Sequence, residues 1–207
     1  MDTVPYPALT GPSIPRRILW RVVNESTRLS ARDWAQAALR AIAAGGLAGV
    51  AVEPLARTLG VTKGSFYAHY RNRDELIEAA LAEWVRGHGA DGLAEFDAIA
   101  DPARRLRELL AAVVRSVQPL TPSVQVSLLG DRGDPRVADA LRRVNRVRLD
   151  FLTRTYRELG LSPERAADRA RIAYAAILGL LHLAQTDEEF ARATALSDEA
   201  VAVFLPS

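Results

Sequence analysis

Cysteine is absent from this sequence, which removes disulfides, thiolate-bound metals and iron–sulfur clusters from consideration. Lysine is almost as scarce: Lys63 stands alone, and every other basic side chain is arginine. Together with the abundance of alanine, this reads as GC-rich codon usage rather than a functional signal. Neither sign of charge dominates, since 27 basic residues meet 25 acidic ones and leave a formal charge of +2. No broad basic field therefore coats the surface, and any contact with nucleic acid must come from local placement of charge. Long apolar runs are missing too. The longest, Ile172 to Ala184, has 13 residues and includes His182, short of the roughly 20 that cross a bilayer. The amino terminus lacks the positive-then-apolar pattern of a secretion signal, so the expected location is the cytoplasm, with no membrane partner. Signatures of catalysis are also lacking. There is no Gly-x-Ser-x-Gly elbow and no phosphate loop, and His69, His88 and His182 are scattered without the paired spacing that holds a metal. Acidic residues show no spacing that singles out a catalytic pair. The expectation is a protein without catalytic residues, metal or cofactor, and not an enzyme.

What remains is well-punctuated helix. At 207 residues and 49% hydrophobic, the chain can bury a real core in one or two domains. Residues 1–29 hold Pro5, Pro7, Pro12 and Pro15 with Gly11 and should begin irregularly. Ile18–Val23 fits a short helix or an added strand. The arginines here fit either an arm that grips DNA or a solvated tail. Ser30-Ala31-Arg32-Asp33 reads as a capping box opening a helix, with Trp34, Ala38, Ala41 and Ile42 on one face and Gly45-Gly46 at its end. Asn72-Arg73-Asp74-Glu75 caps another, with Ile77, Ala80, Leu81 and Trp84 inward. Gly87, Gly89 and Gly92 then cluster, and a domain boundary is expected near them. Beyond it, Asp101-Pro102, Thr121-Pro122, Asp134-Pro135 and Ser162-Pro163 each place proline just inside a helix start. Gly130 and Gly160 mark ends, and Ser197-Asp198-Glu199 opens a last short helix. No alternating strand pattern and no repeat of fixed period appears. The expected fold class is all-α.

The most informative stretch runs from Val52 to Tyr70. Leu55, Ala56 and Leu59 recur at helical spacing, and Gly60 follows where a helix end needs positive φ. Val61 plugs the corner, Thr62 can cap a second short helix, and Phe66 and Tyr70 point inward. Ala56 is small where two crossing helices approach closely. Pro54 sits in the first turn of the first helix, where amide groups have no intrahelical partner, and Ala51 stands where a side-chain cap is common. This is the physical recipe of a helix-turn-helix.

The run Gly60-Val61-Thr62-Lys63-Gly64-Ser65-Phe66-Tyr67, with Tyr70 and Arg73 in register, resembles the tetracycline-repressor-like (TetR) family of regulators over roughly residues 30–85. That resemblance implies an amino-terminal extension (1–29), a three-helix helix-turn-helix DNA-binding domain (30–88), and a larger helical ligand-binding and dimerisation domain (89–207). It implies that Thr62, Lys63, Gly64, Ser65, Tyr67, Ala68, His69 and Arg73 contact DNA. It further implies a homodimer on a near-palindromic double-stranded operator, and a small-molecule effector. The role so implied is transcription regulation, as a repressor released by its ligand. An activator, a regulator without a ligand, or a helical interaction protein that has lost DNA binding are the alternatives. For the pocket, the sequence offers Gln125, Phe151, Tyr156, Tyr174 and His182, against ordinary placement in core or surface. For the dimer face it offers Tyr174, Ile177, Leu178, Leu181, Phe190, Val201 and Phe204, against packing within one chain. Arg142, Arg143, Arg146, Arg148, Arg154 and Arg157 crowd one segment and fit either a buried anion receptor or, preferably, a solvated ion-paired face.

Overall fold

The computed structural model describes residues 29–116, 122–187, 189 and 203–205, and among these there is helix and no strand. Helix α1 (Ala31–Gly45) opens on the expected capping box. The Asp33 carboxylate accepts the Ser30 amide at 2.7 Å, and the Ser30 bonds hold its carboxyl below the ordinary range. A 3₁₀ turn (Leu47–Gly49) leads to α2 (Val52–Thr58), α3 (Lys63–Tyr67) and α4 (Arg73–His88). Ala51 gives α2 no side-chain cap, and Pro54 sits harmlessly in its first turn. Asn72 caps α4 by accepting the Glu75 amide at 2.9 Å.

The chain continues as α5 (Ala90–Asp97), α6 (Pro102–Ser116), α7 (Val124–Gly130), α8 (Pro135–Glu158) and α9 (Pro163–Thr186). Asp101, Asp134 and Ser162 accept amides from the first turns they precede, as their pairing with proline predicts. One start differs from expectation. Helix α7 begins after Ser123 rather than at Thr121-Pro122, because Ser123 is held extended with its amide on the Gln185 side chain of α9. The glycine-rich stretch is helical on both sides of Gly89. A helical glycine costs only about 1 kcal/mol, and burial of Trp84 and Phe96 at about 1.5–3 kcal/mol each outweighs it.

The apolar interior falls into two main clusters. The first gathers Trp34, Ile42, Phe66, Ile77 and Trp84 of α1 to α4, and is roofed by Leu128 of α7 and Val137, Leu141 and Val144 of α8. The second joins Phe96, Leu106 and Leu110 to Phe151, Tyr156, Ala170 and Ile177, where α5 and α6 meet the antiparallel hairpin of α8 and α9. Polar clasps secure the roof. Asp131 Oδ2 accepts the Leu47 amide at 2.6 Å, and Ser127 Oγ donates to the Ala43 carbonyl at 2.6 Å. Arg136 bridges Asp134 at 2.7 Å and Asp74, at the start of α4, at 3.0 Å. The Arg136 hydrogen bond draws the Asp134 carboxyl down to about 2.

Candidate nucleic-acid interface and cavity

The corner between α2 and α3 is built as its sequence requires. Gly60 takes φ +69°, the Gly60 amide reaches Arg57 O at 3.1 Å, and the Val61 amide reaches Ala56 O at 2.9 Å. These two bonds close the end of α2 on a left-handed residue. Helix α3 is then pinned from beneath. Phe66 meets Trp34 edge-on with centroids 5.4 Å apart and stacks on Tyr70 at 5.9 Å. The Tyr70 hydroxyl donates to Ala31 O at 2.6 Å, and burial pushes its phenol pKa up.

With Phe66 and Tyr70 turned in, Thr62, Lys63, Gly64, Tyr67 and Ala68 stand exposed, and Ser65 and His69 are half-buried. Tyr67 is 57% exposed, so its ring is not part of the core. The Lys63 ammonium pairs with the Glu53 carboxylate of α2, which raises the lysine's pKa and lowers the glutamate's. Thr62 occupies the cap position of α3, but its hydroxyl makes no cap bond. The Ser65 amide it would accept already bonds to the Thr62 carbonyl at 3.0 Å. Arg73 donates from Nε to Val50 O at 2.6 Å and from Nη2 to Leu47 O. It thereby ties the 3₁₀ turn to the start of α4 with two of its five N–H groups.

At the far end of α4 a cavity of about 460 Å³ opens between α4, α5, α6, α7, α8 and α9, within the range of small-molecule pockets. Trp84 and His88 of α4 line it, with Phe96, Leu109, Phe151, Ile177 and Leu181 among the apolar wall. One corner is polar. Arg148 Nη1 lies 3.4 Å from both Gln125 Oε1 and the Tyr174 hydroxyl, and its Nε donates to His88 O at 3.2 Å. The Tyr174 hydroxyl donates to Asn145 Oδ1 at 2.7 Å. Burial, then the nearby Arg148 charge, lowers the His88 pKa, leaving a neutral imidazole at pH 7.

Three of the residues that the sequence offered for a pocket, Gln125, Phe151 and Tyr174, share this cavity. Tyr156 does not: it is wholly buried, its hydroxyl donates to Phe204 O at 3.0 Å, and burial pushes its pKa to about 12. His182 points to solvent. Sequence reasoning missed Trp84, His88 and Arg148 as wall residues. Five members of the arginine cluster (Arg142, Arg143, Arg146, Arg154 and Arg157) are exposed, whereas Arg148 is half-buried. Among the residues offered for a dimer face, Ile177 is buried within its own chain and Leu181 lines the cavity. Leu178 and Phe204 are half-buried against the second core. Phe190 and Val201 lie outside the described residues. The opposite side of α9 leaves Ile172 and Leu183 exposed at 64% and 45%, with Ala175 and His182 also exposed.

Residues 36–80 match the family model described as bacterial regulatory proteins, tetR family. The helix-turn-helix segment is therefore of the tetR type, as its motif suggested. Among curated proteins no match is found. The whole chain shares its fold with solved TetR-family transcriptional regulators. One from Streptomyces coelicolor aligns at TM-score 0.71 and 20% identity over 94% of this chain and 96% of its own. One from Agrobacterium tumefaciens aligns at 0.70 and 19% over 88% and 100%. AibR, solved in complex with isovaleryl coenzyme A and operator DNA, aligns at TM-score 0.58 and 20% identity over 85% of this chain and 98% of its own.

Proposed function

We propose that this chain is a dimeric repressor of transcription whose hold on operator DNA is released by a small molecule bound in the α4–α9 cavity. One observation carries the reading: α4 begins at the Arg73 and Asp74 ties under the helix-turn-helix and ends at Trp84 and His88 in the cavity wall. A molecule seated against its last turn would act on the element that supports α3. AibR, whose solved complex holds both an acyl coenzyme A and operator DNA, shows that a protein of this fold can take both kinds of partner.

In this reading residues 30–88 form the DNA-reading unit and residues 89–207 the effector and dimer unit. The exposed face of α3 enters the major groove. Lys63 and Ser65 reach base edges or phosphate, Gly64 lets the backbone come close, and Thr62, Tyr67, Ala68 and His69 complete the contact. Arg73 reaches a phosphate with the N–H groups its backbone ties leave over. Two copies pair through α9, along the stripe Ile172, Ala175, Gly179 and Leu183, whose spacing keeps one helix face toward a partner. Two α3 helices then meet major grooves about one helical turn apart, which calls for a near-palindromic operator.

The effector releases DNA only by binding the DNA-incompetent arrangement better. A coupling of about 1–3 kcal/mol changes operator affinity roughly 5- to 150-fold, and DNA must weaken the effector by the same factor. The test is fluorescence anisotropy on the region upstream of the protein's own coding sequence, followed by footprinting. The expected result is protection of two half-sites about one turn apart. Binding no tighter than to unrelated DNA would refute the reading.

A further inference from the structure

Arg148 sits in the cavity wall without a counter-charge. Its hydrogen-bond partners are all neutral (His88 O, Gln125 Oε1 and the Tyr174 hydroxyl), and no ion pair among the described residues includes it. Of the other arginines of α8, Arg136, Arg142 and Arg154 each hold an aspartate, and Arg143, Arg146 and Arg157 are exposed to water. Arg148 is half-buried, and even partial removal of a guanidinium from water favours an anion beside it. The Tyr174 ring adds little, because the Arg148 guanidinium carbon is 5.9 Å from its centroid, near the outer limit of a cation–π contact. Burial and the Arg148 charge lower the His88 pKa, so among the described residues Arg148 carries the formal charge at this corner. Among the described residues the only carboxylate in the wall is Glu95, exposed at the rim. Around this one charged spot, Trp84, Phe96, Leu109, Phe151, Ile177 and Leu181 present hydrocarbon.

From this arrangement we infer that the cavity takes an amphiphilic organic anion, a carboxylate on an apolar body, with the carboxylate forked on Nη1 and Nη2 of Arg148 in place of the long 3.4 Å contacts of Nη1 and the tail along the aromatic and leucine wall. A carboxylate accepts two parallel N–H bonds from a guanidinium, a geometry no neutral oxygen reproduces. The amide nitrogen of Gln125 adjoins the same corner as a further donor. An ammonium ligand is rejected, since it would place a second cation beside Arg148 without an acid to offset it. The inference rests on the cavity being the effector site, and its test separates the two claims.

Decanoate, 1-decanol and decyltrimethylammonium have matched tails and differ in head charge. Titrated into the full chain by calorimetry, decanoate should bind about 10- to 150-fold more tightly than decanol, the factor equivalent to a charge-assisted hydrogen bond of about 1.5–3 kcal/mol. The ammonium should be weakest. Arg148→Gln should bring decanoate down to the level of decanol and leave decanol unchanged. Arg148→Lys should recover part of the preference, as a point charge without the fork. Circular dichroism and melting of each variant check that the fold is intact, and the wild-type comparison stands without any variant. Equal binding of decanoate and decanol, preference for the ammonium, no binding of any probe, or undiminished decanoate binding by Arg148→Gln would overturn the inference. Decanoate held by Arg148 without effect on operator affinity would instead sink the repressor reading and leave the anion site standing.

Discussion

Gly46→Ala reaches the joint between α1 and the α7–α8 corner through a single methyl group. Gly46 adopts φ +62° and ψ −162°, a region that is essentially glycine's own and costs other residues about 1–3 kcal/mol. A β-carbon there would also lie 2.5 Å from Asp131 Oδ2, so the carboxylate must move. That oxygen is the acceptor of the Leu47 amide, and losing a bond to a charged group costs about 1.5–3 kcal/mol. The expected total is about 2.5–6 kcal/mol. Gly60→Ala supplies the control. It too has positive φ, at +69°, but nothing lies within 4 Å of the new methyl, so only the left-handed backbone penalty of about 1–2 kcal/mol applies. The decisive measurement is a urea-unfolding cycle with Asp131→Ala. If the methyl acts by expelling the carboxylate, the double variant should be about as stable as Gly46→Ala alone, with a coupling of about 1.5–3 kcal/mol. Simple addition of the two penalties, or a Gly46→Ala as mild as Gly60→Ala, would refute the reasoning.

Lys63→Ala and Tyr67→Ala should weaken operator binding with an unchanged melting temperature, and the lysine variant should lower the salt slope by about one if its contact is a phosphate. Unchanged anisotropy titrations in both would remove α3 from the interface. Leu183→Glu should yield folded monomers by sedimentation, because it places a charge in the proposed seam of α9; a dimer as tight as wild type would move the seam elsewhere. Asp134 has a folded-state pKa of about 2, below its ordinary value. Its contribution is therefore complete above about pH 4 and lost as pH falls through about 2. Arg136→Ala should accordingly shift the urea midpoint at pH 7 and barely at pH 2, and an equal shift at both would exclude this linkage.

The helix-turn-helix was legible because each of its residues answers a local demand. Gly60 meets the positive φ, Ala56 the close crossing, Phe66 and Tyr70 the inward face, and Ser30 and Asn72 the caps. These demands act within a few residues, so the chain displays them in order. The cavity was only half legible, because its wall is drawn from six helices whose rotations depend on one another. Helix α9 is apolar around most of its circumference, so no period distinguishes the side holding Ile177 from the side bearing Ile172. Arg148 was one arginine of a crowded run, and only the rotation of α8 separates it from its solvated neighbours. Helix α5 went unforeseen because three nearby glycines read as a break, although Phe96 supplies the burial that holds the helix.

The exposed Lys63, ion-paired to Glu53, is also the only side-chain amine in the sequence. Acylating reagents consequently have a single lysine to modify, and it lies on the helix proposed to read DNA. Pairing with Glu53 keeps that amine protonated and slow to react, so Glu53→Gln should speed its acylation. Bound operator should protect it. Peptide-level mass measurement of the label on Lys63, which separates it from the α-amino group, would then read occupancy of the reading helix without a fluorophore or an engineered residue. The same solitude gives enzymatic lysine acylation one possible target in this sequence, and neutralising it would remove the sole ammonium from the α3 face.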